Sequence, residues 1–193
     1  ALKGEPVINF DQASNQTNSF TDSFVWRYGL GKFKTMNSPG ISQNETCIYF
    51  KKRGFVDRLL NGTLKDGQGE KGEVTEVTST FTNETKFVVF VVSFDQLHSQ
   101  KATIKIMNRC IEKGIPCLAL ITYVDKLDSQ PTHENVLTDY QVLMTLEKAR
   151  KILPLPKNRI FPFINIQTET LNSYRDALTN YINRIIYEDS VSY

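Results

Sequence analysis

Three apolar, β-branched runs alternate with helical patterns from residue 86 onward, and this alternation constrains the fold more than any other feature. The runs are KFVVFVVSF, CLALITYV and RIFPFIN. Helical periodicity follows each run, near Gln100–Lys113, Leu137–Ile152 and Ser173–Tyr187. Continuous apolar runs are typical of strands that are buried on both faces of a parallel sheet. The sequence therefore predicts an α/β fold: a three-layer, mostly parallel sheet with helices on both faces.

Two details refine this prediction. Pro162 cannot donate a backbone hydrogen bond, so the run that contains it is expected at a sheet edge. In the first helical pattern, four apolar side chains recur at helical spacing and are expected to form the buried face: Ile104, Met107, Cys110 and Ile111.

The residues before 86 are more polar and richer in turn-forming types. The stretch SFVWRYGLGKFKTM predicts one or two strands that Gly29 and Gly31 interrupt, and GFVDRLLNGTL predicts a short helix that ends at Asn61 and Gly62. Residues 1–20 and 64–75 have the composition of mobile loops. We interpret residues 1–193 as a single domain, because this length is ample for one hydrophobic core.

Charge and hydropathy narrow the range of partners. A formal net charge of +2 is too small to indicate nucleic-acid binding. No run approaches the roughly 20 apolar residues of a membrane span, so none is expected.

Cysteine usage indicates a cytoplasmic chain. Three cysteines, Cys47, Cys110 and Cys117, form an odd set without metal-ligand spacing and are interpreted as reduced thiols. A secreted, glycosylated protein stays open as an alternative, because four N-x-[ST] sequons occur, at Asn15, Asn44, Asn61 and Asn83.

Polar residues follow each apolar run, at the point where the strand is expected to end. The three exits are Ser93–Asp95, Thr122–Asp125 and Asn165–Thr168. Because parallel strands end at one edge of a sheet, and ligands bind at that edge, these exits are the candidate site. One carboxylate accepts both N1–H and N2–H₂ of guanine in a fork that adenine lacks, so Asp125 is a candidate for base recognition. The alternative is that Asp125 caps a turn.

Four stretches follow one another in a recognisable order: NQTNSFTDSFVWRY, TMNSPGI, GFVDRLLNGTL and GIPCLALITYVDKLD. Their order resembles a G domain, the GTP-binding member of the P-loop NTPase superfamily, and most closely the interferon-induced protein 44-like family, over most of residues 15–187. This resemblance implies GDP or GTP with Mg²⁺ as ligand and a role in innate immunity or signalling. It implies base-binding residues Thr122, Tyr123, Asp125 and Asn165. It also implies phosphate-binding or switch residues Thr17, Thr21, Asn37 and Gly40.

This sequence departs from the family pattern where phosphates and magnesium bind. The phosphate loop G-x-x-x-x-G-K-[ST] is absent, and its faint trace at residues 3–9 has Gly4 and Glu5 in place of the lysine and the hydroxyl residue. Asn37 stands in place of an aspartate, and Tyr123 in place of the lysine that covers the purine. The G domain is thus expected to be degenerate or N-terminally incomplete. We expect weak or no GTP hydrolysis, with no catalytic residue or metal ligand to nominate.

A second hypothesis belongs to a different class. The fold persists while the nucleotide cleft is filled, and the chain acts as a pseudo-GTPase scaffold for a protein partner. Its contact surface would then be the switch-like segments Ser19–Phe24 and Gly67–Glu73, which are polar and turn-rich.

Overall fold

The computed structural model describes two units of the chain, Ala1–Thr85 and Lys86–Tyr193. The described residues are 25–30, 33–37, 54–64, 84–132, 134–164, 177, 180, 181 and 184, and for the first two ranges the backbone alone is described.

The N-terminal unit contains an antiparallel strand pair. Strand β1 spans Val25–Leu30 and strand β2 spans Phe33–Asn37. The pairing register shifts between Tyr28 and Leu30, at Gly29, where the sequence predicts an interruption. The stretch thus forms two strands rather than one.

The short helix α1 spans Phe55–Leu60 and ends as its sequence predicts. Gly62 adopts a φ of 67°, a left-handed conformation that glycine reaches without a steric penalty. The Thr63 N–H then donates to the Arg58 carbonyl at 3.0 Å, which satisfies a carbonyl that the helix end would otherwise leave unpaired.

The C-terminal unit is built on a three-stranded, all-parallel sheet. Its strands are β3 (Val88–Ser93), β4 (Cys117–Thr122) and β5 (Ile160–Pro162), in the order β3-β4-β5. Helix α2 (Lys101–Glu112) connects β3 to β4, and helix α3 (Tyr140–Ile152) lies between β4 and β5. This arrangement confirms the predicted α/β class with a parallel sheet.

The two longer strands differ in burial. Residues 117–121 of β4 are all buried, as predicted for a strand that is covered on both faces. In β3, Phe90 and Val92 are buried while Val89 and Val91 are 41% and 52% exposed. The prediction that both faces of the first apolar run are buried is therefore wrong, because β3 lies at an end of the described sheet and the described residues leave one of its faces open.

Helix α2 buries a face slightly different from the predicted one. Met107 and Cys110 are fully buried, as expected, together with Ile106. Ile111 is 48% exposed, so its predicted place in the core is wrong. Gly114 follows the C-cap Lys113, and its φ of 69° lets the Ile115 N–H donate to the Cys110 carbonyl at 2.9 Å, which closes the helix end.

Helix α3 starts three residues later than the hydrophobic pattern predicts. Asp139 is its N-cap, and its carboxylate accepts the Val142 N–H at 3.0 Å. An N-cap carboxylate satisfies one of the free N–H groups of the first turn, which fixes the start of the helix.

Strand β5 occupies the predicted position at an end of the described sheet. It pairs with β4 through three residues, the last being Pro162. The ring of Phe161 meets the ring of Tyr181 edge to face at 5.2 Å, and the Tyr181 hydroxyl donates to the Asn158 carbonyl at 3.0 Å. Tyr181 belongs to the third predicted helix, of which the described residues are helical.

Candidate functional site

The strand ends of the C-terminal unit converge at one edge of the sheet. Ser93 at the end of β3 and Thr122 at the end of β4 are register partners. Beyond the end of β5, the Phe163 N–H donates to the Ile121 carbonyl at 2.8 Å. The chain therefore leaves all three strands side by side, at the edge where parallel sheets bind ligands.

A tight turn shapes the exit of β4. Tyr123 has a φ of 60°, and residues Val124–Lys126 form a single 3-10 turn. The turn is closed by the Lys126 N–H, which donates to the Tyr123 carbonyl at 2.9 Å. Val124 is fully buried and anchors the turn to the core. A non-glycine residue at positive φ carries a strain of about 1–3 kcal/mol, and such strain is often found where a loop presents functional groups.

Asp125 is presented by this turn, between buried Val124 and exposed Lys126. Its side chain is half-buried. Within the described parts of the chain, the Asp125 carboxylate makes no hydrogen bond or ion pair. A half-buried carboxylate that protein donors leave unused can accept hydrogen bonds from a ligand.

Lys126 and Tyr123 form a contact within the same turn. The Lys126 Nζ atom lies 4.3 Å from the centroid of the Tyr123 ring, which is cation–π geometry. The sequence analysis considered Tyr123 for base stacking but not its pairing with Lys126. The three-residue spacing on a helical turn is the signal that could have revealed this contact.

Two hydroxyl groups make hydrogen bonds at this edge of the sheet. Thr122 Oγ1 donates a long hydrogen bond of 3.4 Å to the Val92 carbonyl, across to β3. At the end of β3, Ser93 Oγ donates to the Asp95 carboxylate. Thr122, which the resemblance assigns to the base pocket, thus links β4 to β3.

The loop after the turn is fastened to helix α3. The Ser129 N–H donates to Gln141 Oε1 at 3.0 Å, and Ser129 Oγ donates to Asp139 Oδ1 at 2.9 Å. Asp139 therefore caps the helix and holds the loop that carries Asp125. Sequence analysis missed these positioning residues, although an aspartate just before a helical pattern is a recognisable N-cap signal.

The described residues include only part of the predicted site. Thr122, Tyr123 and Asp125 lie together at the end of β4. Asn37 is the last residue of β2, in the N-terminal unit. Four other predicted site residues lie outside the described residues: Thr17, Thr21, Gly40 and Asn165. Residues 1–20 and both switch-like segments also lie outside them. Of the second predicted loop, 64–75, only Leu64 is described, and it is buried.

The two described cysteines are free thiols with strongly perturbed acidity. Burial and, to a smaller extent, the neighbouring Cys117 raise the pKa of Cys110 to about 12. Burial raises the pKa of Cys117 to about 11, against a lowering by Arg159. Buried thiols of this kind stay protonated at neutral pH and are poor nucleophiles. Cys47 lies outside the described residues.

In the described parts of the chain, no group of three or more His, Cys, Asp and Glu side chains is placed to hold a metal ion. None of the described helices has both the length and the apolar character of a transmembrane segment.

Comparisons of the chain with protein-family models, with curated proteins and with solved structures find no match.

Proposed function

We propose that this chain is a guanine-nucleotide-binding domain of the GTPase type whose catalytic capacity is weak or lost. The observation that carries the proposal is the Asp125 carboxylate, presented half-buried at the end of the central parallel strand β4. The motif order of the sequence and its resemblance to a G domain support the same assignment.

Hydrogen-bond chemistry makes Asp125 selective for one base. Guanine presents N1–H and N2–H₂ as adjacent donors, and a single carboxylate accepts both. Each such charge-assisted bond contributes about 1.5–3 kcal/mol when the site excludes water. Adenine has an acceptor where guanine has N1–H, so it leaves the carboxylate poorly matched.

The cation–π contact between Lys126 and Tyr123 supports this geometry. A contact of this kind contributes roughly 0.5–1 kcal/mol at an exposed site, and here it holds the ring against the turn that carries Asp125. The Tyr123 ring would thus replace the lysine stem that covers the purine in the family pattern. The fixed ring limits the freedom that binding would otherwise remove.

The second part of the proposal, weak or absent catalysis, rests on the motifs that would bind the phosphates. The sequence lacks the loop that cradles phosphates and the lysine and hydroxyl that neutralise them with Mg²⁺. The base would then supply most of the affinity, and GTP hydrolysis would be slow or absent. By the same resemblance, we propose a cytoplasmic role in innate immunity or signalling.

Calorimetry with GDP and ADP tests the proposal. We expect weak binding of GDP, near millimolar, and at least about tenfold weaker binding of ADP, because tenfold corresponds to about 1.4 kcal/mol. Asp125→Ala should abolish the preference, whereas Asp128→Ala, which removes an exposed acid from the same loop, should keep it. Equal binding of both nucleotides, or no thermal shift with GDP, would reject the proposal and favour the scaffold hypothesis.

A second variant tests whether the Asp125 carboxylate accepts both guanine donors. Asn at position 125 presents one acceptor and one donor instead of two acceptors. Xanthine has a carbonyl where guanine has N2–H₂, so Asp125→Asn should bind xanthosine diphosphate more tightly than GDP. Loss of both ligands without this reversal would indicate that Asp125 acts only in the structure of the turn.

A further inference from the structure

A groove beside the candidate guanine site lies in the C-terminal unit, between helix α3 and the turns that follow β3 and β4. Its volume is about 320 Å³, and Asp125 is not among the residues that line it. Its apolar lining is contributed by Phe94, Leu127, Tyr140 and Met144.

Two of the apolar side chains in the groove are unusually open to solvent. Tyr140 is 74% exposed and Met144 is 44% exposed, one helical turn apart on α3. Tyrosine and methionine are enriched at protein–protein interfaces, and methionine adapts its shape to a partner. A cluster of exposed apolar groups beside a concavity is typical of a surface that another protein covers.

The charges of the groove favour an acidic occupant. Lys126 and Lys148 both line it, against the single acid Asp128 among the described lining residues. Lys151 is also exposed on α3 but does not line the groove. Complementary charge steers association and selects the partner, so a segment rich in Glu or Asp fits better than a basic one.

We propose that this groove binds an acidic amphipathic helix of a protein partner, with one large apolar side chain seated between Phe94 and Met144. The concave shape favours a protruding segment over a flat bilayer surface. Helix-in-groove recognition of this kind uses apolar anchors at helical spacing, with charged residues that fix orientation. The groove shares Lys126 with the turn that carries Asp125, but Asp125 itself does not line it.

Fluorescence anisotropy with the full chain and three labelled peptides tests this. Each peptide is an alanine-based helix of about 16 residues. The first has Phe and Leu at i, i+3, i+4 and i+7 with flanking Glu; the second has Lys for Glu; the third has Ala for Phe and Leu. We expect the acidic, apolar peptide to bind at least about tenfold more tightly than the other two.

Matched variants on α3 localise the binding. Met144→Glu and Lys148→Glu should each weaken binding of the acidic peptide by about tenfold or more. Leu143→Glu is the control for the first, because Leu143 is 41% exposed but does not line the groove. Lys151→Glu is the control for the second. Melting curves confirm that all four variants fold, and Asp125→Ala should leave peptide binding unchanged.

Three outcomes would overturn the proposal. The acidic peptide fails to bind at millimolar concentration, or it binds all four variants equally. Alternatively, the chain binds vesicles of phosphatidylcholine and phosphatidylserine but not the peptide, which would make the surface a membrane contact.

Discussion

Strands β3 and β4 are neighbours of equal length with similar apolar sequences, yet their side chains differ in burial. They pair in parallel register, so that Val91 lies beside Leu120 on the same face of the sheet. Leu120 is 4% exposed and Val91 is 52% exposed. Similar apolar strands are thus fully buried at the centre of the described sheet and open on one face at its end.

Aromatic side chains explain why this face of β4 is buried. Leu118 and Leu120 form a buried cluster, and the rings of Phe87, Phe161 and Phe163 pack against it. Two of these rings come from β5 and the residue after it, on the side of β4 away from β3. Burial in this sheet therefore depends on which neighbour supplies a cover, a property that an apolar run alone does not encode.

The largest expected difference between the strands is in the cost of truncation. Leu120→Ala should lower the free energy of unfolding by about 2–5 kcal/mol, because it removes buried methyl groups and leaves a cavity. Val91→Ala should cost about 0.5 kcal/mol or less, as for most exposed positions. Urea unfolding followed by circular dichroism measures both values.

Equal costs for the two variants would contradict the comparison. They would mean that the open face of β3 is covered in solution, for example by another chain. Repeating the measurement at several protein concentrations separates that case, because self-association makes stability depend on concentration.

Thiol reactivity provides a second measure of the difference in burial between β3 and β4. Cys117 is the first residue of β4, and burial raises its pKa from 9.0 to about 11. This shift lowers the fraction of Cys117 that is thiolate at pH 8 by roughly 100-fold. Iodoacetamide should therefore alkylate Cys117 far more slowly than a thiol introduced by Val91→Cys on β3. Peptide mass spectrometry reads each site separately, and comparable rates at the two sites would refute the difference.

The raised pKa also fixes the direction of the pH dependence. Above pH 9.0 the thiol of the unfolded chain loses its proton, whereas Cys117 in the folded chain keeps it until about pH 11. The unfolded state then binds fewer protons, so the stability that this group contributes falls as the pH rises through that window. Cys117→Ala should show a smaller alkaline loss of stability than the parent chain.

The parts of the fold that local sequence encodes are the parts that could be predicted. Apolar β-branched runs with helical patterns between them were sufficient for the parallel α/β unit, and Gly62 and Gly114 marked two helix ends. The exposure of Val91 and Ile111 was not predictable, because it depends on packing between distant segments. Hydrophobicity shows that a residue can be buried, but the tertiary neighbours decide whether it is.

The candidate site was likewise predictable only where local sequence encodes it. The position of Asp125 at the sheet edge was predicted from its place after an apolar strand, since parallel strands deliver their ends to one edge. The Lys126–Tyr123 contact and the anchoring of Ser129 depend on side-chain geometry over several residues, and periodicity does not report it. The phosphate-side residues remain predictions.

The exits of the two strands extend the comparison and give the smallest expected effect. The exit of β3 is closed locally by Ser93 and Asp95, whereas the exit of β4 is fastened to α3 through Ser129 and Asp139. Asp139→Ala should cost about 1 kcal/mol through loss of the N-cap, and Asp139→Asn should retain part of that energy. Amide exchange at Ser129 should accelerate in Asp139→Ala but not in Ser93→Ala. Unchanged exchange in both variants would show that the buried side chain of Val124, rather than the link to α3, holds the loop that carries Asp125.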